Sequence, residues 1–68
     1  MATVEYRYEL RRRDEVVATG RLSRDQPLEI GERVEIAGRT GSVRAIDPVL
    51  GERELRLVVR LEHQPNGA

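Results

Sequence analysis

Twelve arginines carry all the basic charge of this 68-residue chain, which has no lysine. Guanidinium groups are planar, bidentate donors for carboxylate or phosphate, and the densest run is Arg11-Arg12-Arg13. Joined by Arg39 and Arg44, that run has the composition of a phosphate-contacting patch suited to RNA or the ribosome. Asp14 and Glu15 follow at once, however, and 12 acidic residues cancel the 12 basic ones. The long-range field of a dedicated polyanion binder is therefore missing, and a solvated turn is the simpler reading of the run. Glu5, Glu9, Glu54 and Glu62 alternate with arginines, a pattern for cross-strand ion pairs rather than acid/base catalysis. His63 has no acidic partner or nucleophile at motif spacing, which makes it a surface residue. With one His and no Cys there is no ligand set for structural zinc and no disulfide framework. The expectation is a protein without catalysis, cofactor or metal.

The elements that must position these residues read as strands. Val4, Tyr6, Tyr8 and Leu10 alternate with Glu5, Arg7, Glu9 and Arg11, the period-two pattern of a half-buried strand. Both tyrosines fall on its apolar side and read as core with the hydroxyl at the rim rather than as base-stacking platforms. Arg12 to Glu15 breaks the pattern, and Val16 to Leu22 resumes it as the second arm of a hairpin, with Gly20 expected to mark a bulge or bend. Ser23 to Pro27 is loop by composition, after which Leu28 and Ile30 are placed to cap the core. Arg33 to Ala37 and Ser42 to Ile46 flank a turn at Gly38 to Gly41, where positive φ is expected of one or both glycines. The spacing Gly38-x-x-Gly41 also occurs in the backbone-clamping loop of KH domains, but that loop joins helices and this one joins strands. Asp47 to Glu52 reads as a second loop. Glu54 to Glu62 gives a fifth strand, with Leu55, Leu57, Val59 and Leu61 inward. Residues 63–68 lack apolar periodicity and are expected to form a disordered tail.

Five short strands in residues 1–62 predict one all-β domain, a five-stranded antiparallel small barrel that shares one core and hides most sheet edges. The stretch Gly31 to Ile46 resembles the KOW motif of SH3-like barrels in ribosomal proteins and transcription elongation factors: a Gly-acidic pair, alternating apolar residues, a glycine turn, then Gly-x-Val-x-x-Ile. The resemblance covers about half the chain counted with Asp47-Pro48 and Leu57-Val58-Val59. It implies an SH3-like barrel that binds rather than catalyses, with Gly41, Val34, Ile36, Val43 and Ile46 as structural parts. Nucleic-acid-binding members usually carry a longer, lysine-rich loop where this chain has Gly38-Arg39-Thr40-Gly41, and the departure weakens the RNA implication.

The apolar anomalies point elsewhere. Val17 and Val58 interrupt the polar sides of their strands, and Val49 and Leu50 sit in a loop that otherwise reads as exposed. Clustered, they would form a contact patch for a protein partner or a second copy of the chain, with Arg56 and Arg60 at its rim; alternatively, Val49 and Leu50 plug one end of the barrel. The longest apolar run, Val16-Val17-Ala18, spans three residues, so no signal peptide or membrane span is expected and the cytoplasm is the default compartment. The sequence therefore predicts a non-enzymatic binding module that engages protein, itself included. The alternative is a KOW-like module that contacts RNA through Arg11, Arg12, Arg13, Arg39 and Arg44.

Overall fold

The computed structural model describes residues 3–62; the expectations for His63 and for residues 63–68 lie outside the described residues. Five strands form, β1 (Val4–Arg12), β2 (Glu15–Arg24), β3 (Arg33–Ile36), β4 (Arg39–Pro48) and β5 (Leu55–Leu61), in one sheet of order β2-β1-β5-β4-β3. No helix occurs among the described residues, and so none long and apolar enough to cross a membrane.

The sheet is mixed, which corrects the expected antiparallel barrel. Strand β5 runs antiparallel to β4 but parallel to β1, with Tyr6 beside Leu55, Tyr8 beside Leu57 and Leu10 beside Val59. The two hairpins, β1–β2 and β3–β4, turn at the same end of the sheet, so β5 returning from β4 must run in the direction of β1 when it fills the gap between them. Strand β5 thus lies in the middle of the sheet, with a strand on either side of it. Leu57 and Val59 are buried in the core, and Val58 is buried on the opposite face.

One face holds the core. Tyr6, Leu10, Leu28, Val34, Ile36, Val43, Leu57, Val59 and Leu61 form one buried cluster, with Val4, Tyr8, Ala18, Leu22, Ile46 and Leu55 packed half-buried against it. Bulges at Val17, opposite Leu10 and Arg11, and at Arg44, opposite Val58 and Val59, lie one residue step apart on the two flanks of the central strands. An extra residue on each flank bends and twists the sheet there, and the result is a curled half-barrel with a concave apolar face. The loop after β2 crosses that face, and the Leu28 N–H donates to the Tyr6 hydroxyl oxygen at 2.9 Å. Leu28 is thereby buried, whereas Ile30, the other expected cap, is exposed.

Three local expectations change. Gly20 does not mark the β2 bulge, which falls at Val17; a Cβ at Gly20 would overlap the phenol end of Tyr8, so glycine is required there for the ring to lie across β2. The β3–β4 turn is Ala37-Gly38, both at positive φ (55° and 78°), the pattern of a type I′ hairpin turn. Asp47 and Pro48 continue β4, opposite Arg56 and Leu55, instead of starting a turn.

Candidate functional site

On the convex face the cross-strand register lines side chains into rows. One row runs Val16, Arg11, Arg60, Ser42, Arg33 across all five strands. Below it come Thr19, Glu9, Val58 and Ala45, and below those Arg21, Arg7, Arg56 and Asp47. Arg7 therefore has arginines beside it on both sides, an arrangement that costs energy unless carboxylates intervene. They do: Arg7 contacts Glu52 at 3.0 Å and Glu54 at 3.3 Å, and Glu54 also meets Arg21 at 3.3 Å. Glu9 accepts from Arg11 at 2.8 Å and from Arg56 through Nε at 3.1 Å and an NH2 nitrogen at 3.2 Å. These bonds, Arg56 first and Arg11 second, hold the Glu9 carboxyl below the usual carboxylate range, and Glu9 in turn raises Arg56. Arg33 pairs with Glu62 at 2.9 Å.

Val58 sits in the middle of this polar face, in register between Glu9 and Ala45 and flanked along β5 by Arg56 and Arg60. It is only 9% exposed, because the aliphatic stems of ion-paired side chains shield apolar surface while their heads reach water. Val17 is exposed at the β2 bulge, Val49 is half-buried, and Leu50 stands wholly in solvent in the β4–β5 turn, where it covers no part of the core. Val17 and Leu50 belong to opposite ends of the sheet: Val17 adjoins the level of Arg11, and the β4–β5 turn adjoins the level of Tyr6. Five residues of strand separate those levels, about 17 Å at 3.3 Å per residue. The four apolar residues singled out by pattern thus do not form one patch.

The arginines are brought together more closely. The β1–β2 turn, with Arg12 and Arg13, and the β3–β4 turn, with Arg39, lie at the same end of the sheet as the Arg11 and Arg60 row, and Arg44 projects from the β4 bulge just below it. The two turns are three strand spacings apart, roughly 14 Å measured along the sheet. No ion pair involves Arg12, Arg13, Arg39, Arg44 or Arg60 among the described residues, whereas Arg11 is tied to Glu9.

The largest unassigned feature is an edge. Strand β2 ends the sheet, so one whole side of a ten-residue strand has no neighbouring strand among the described residues. Its concave side carries Ala18 and Leu22, half-buried, with the Tyr8 ring lying over Gly20 between them. The Nε of Arg24, near the end of this edge, is buried without a hydrogen-bond partner. Periodicity exposed the faces of β2 but not its edge, since edge status belongs to the strand order and not to any residue type.

A shallow depression of about 510 Å³ adjoins the same strand, lined by Ser23, Arg24, Asp25, Gln26, Pro27, Leu28 and Glu32. It contains no nucleophile and base in bonding distance, and no group of three metal-ligating side chains occurs among the described residues. No protein-family model, curated protein or solved structure matches this chain.

Proposed function

We propose that this protein is a non-catalytic binding module that engages protein by strand addition, with β2 as the receiving edge. The observation that carries the reading is the unpaired side of β2. Along its ten residues the backbone donors and acceptors of alternate residues, those not turned toward β1, are left open beside a partly uncovered apolar flank. An open edge is a template for another strand, and main-chain hydrogen bonds supply affinity in such complexes while alternate side chains supply selectivity. Natural sheets blunt their edges with lysine, proline or inward charge. Between Val16 and Leu22 this edge has only the bulge and Arg21. Titration of the isotope-labelled protein with a soluble peptide of alternating threonine and valine tests the reading by NMR. Resonance shifts confined to Val16 through Leu22 and the Tyr8 ring support it. Shifts confined to the β4–β5 turn around Val49 and Leu50, or none at millimolar peptide, count against it.

One observation favours a second reading, RNA contact by a KOW-like surface. Arg11, Arg12, Arg13, Arg39, Arg44 and Arg60 gather toward one end of the sheet, and five of them lack an ion-pair partner among the described residues. Zero net charge works against it, and the short β3–β4 turn offers only Arg39. Binding to single-stranded RNA at low salt, with a log–log salt slope of about −0.7 per phosphate contacted, would support this reading. No binding at tens of millimolar salt would remove it.

A further inference from the structure

We infer that the strand received by β2 is the β2 strand of a second copy, paired antiparallel about a two-fold axis through Gly20. The inference rests on the strand-addition reading and names its occupant. A two-fold axis perpendicular to a sheet keeps each residue on its own face, so paired residues must share a face. With Val16 and Val17 sharing one step at the bulge, β2 from Glu15 to Arg24 occupies nine steps, and Gly20 is the middle one. An axis through Gly20 is therefore the placement that overlaps the two strands end to end.

That register is complementary at each level. Ala18 faces Leu22 of the second copy on the concave side, and Leu22 faces Ala18, so the half-covered flanks of two cores become continuous. Gly20 places no side chain on the axis. The phenol end of each Tyr8 already lies over its own Gly20, so the two phenol ends come to flank the axis about one strand spacing, ~4.8 Å, apart. On the convex side Thr19 faces Arg21 and Val16 faces Ser23. At the ends, Glu15 of one copy faces Arg24 of the other, twice by symmetry. The orphaned Arg24 Nε then has a carboxylate alongside it. Moving the axis one residue toward the C-terminus would set Arg21 directly against Arg21, a destabilising like-charge pair. A second copy thus matches this edge in length, apolar pattern and charge.

The test is equilibrium sedimentation of the full chain over micromolar to millimolar concentration, with Glu15→Arg, Arg24→Glu and the double variant. Circular dichroism checks that each remains folded. The wild type is expected to dimerise, each single variant to weaken dimerisation roughly 10- to 100-fold by placing like charges at both symmetric ends, and the double variant to return to within about threefold of wild type. A wild type that stays monomeric to millimolar concentration overturns the inference, as does a double variant no better than either single one. If the wild type is monomeric while the threonine/valine peptide still shifts β2 resonances, the second copy is excluded and strand addition stands. If both measurements are negative, the edge reading falls as well.

Discussion

Replacing either of two strand glycines by alanine tests the packing of the sheet, because the obstacles differ in kind. A Cβ on Gly41 would stand 2.5 Å from the Arg60 carbonyl oxygen, 2.7 Å from Val59 Cγ1 and 3.0 Å from the Arg60 carbonyl carbon. Ordinary contact needs about 3.4–4 Å, so β4 would have to move from β5 by close to an ångström, beside a backbone atom that cannot rotate away. Overpacking of this sort costs about 1–3 kcal/mol, and Gly41→Ala belongs at the upper end. At Gly20 the obstacle is as close, the Tyr8 hydroxyl and Cζ, the latter at 2.5 Å, but it is the far end of a half-buried side chain that can rotate rather than backbone. Gly20→Ala should therefore cost about 1 kcal/mol, partly offset by the smaller entropy of the unfolded chain. Urea unfolding monitored by circular dichroism reads both as midpoint shifts at unchanged slope. For a domain of this size each kcal/mol moves Tm by roughly 4–8 °C, so Gly41→Ala should melt more than 10 °C below wild type. A Gly41→Ala protein within about 0.5 kcal/mol of wild type, or one more stable than Gly20→Ala, would refute the reasoning.

Three further outcomes follow from single sites. Ala37 at φ 55° is held where an L-residue with a Cβ is strained by about 1–2 kcal/mol, so Ala37→Asn, the residue favoured before Gly38 in a type I′ turn, should raise stability by about 0.5–1 kcal/mol in urea unfolding. Tyr6→Phe removes the acceptor of the Leu28 N–H and leaves a buried donor unpaired, a loss of about 1–3 kcal/mol by the same assay, with faster amide exchange at Leu28. Because Glu9 is held low by Arg56 and Arg11, its contribution is complete above the unfolded carboxyl pKa of about 4.3 and is lost as pH falls through the lower folded value. Glu9→Gln should thus be less stable than wild type at pH 6, by about 1 kcal/mol, and the gap should narrow as the pH is taken down below the unfolded carboxyl pKa.

The strands and their inward residues were legible because period-two alternation is a local property: Tyr6, Leu10, Val34, Ile36, Val43, Leu57 and Val59 are readable from pattern and all are buried. Strand order was not, since nothing local states that β5 lies between β1 and β4. Val58 carried the missing signal. Read as an exception to alternation it looked like a contact residue, whereas Leu57-Val58-Val59 taken as one run is the buried middle of a central strand. Gly20 misled in a related way, because a strand glycine signals either a bulge or a close approach, and only the position of Tyr8 decides. For the candidate site, the arginines were visible as residues but their gathering at one end follows from both hairpins turning the same way. The open side of β2 was invisible until the strand order was known.

The central claim is that β2 pairs with β2 of another copy about Gly20, and an isotope-filtered NOE experiment addresses it most directly. In a millimolar mixture of carbon-13-labelled and unlabelled protein, Cβ atoms of directly facing residues lie about 4.5–5.5 Å apart. Intermolecular NOEs should therefore join the Ala18 methyl of one copy to the Leu22 methyls of the other. Intermolecular NOEs that instead place Val49 and Leu50 at the interface, or the absence of any from β2, would contradict the account.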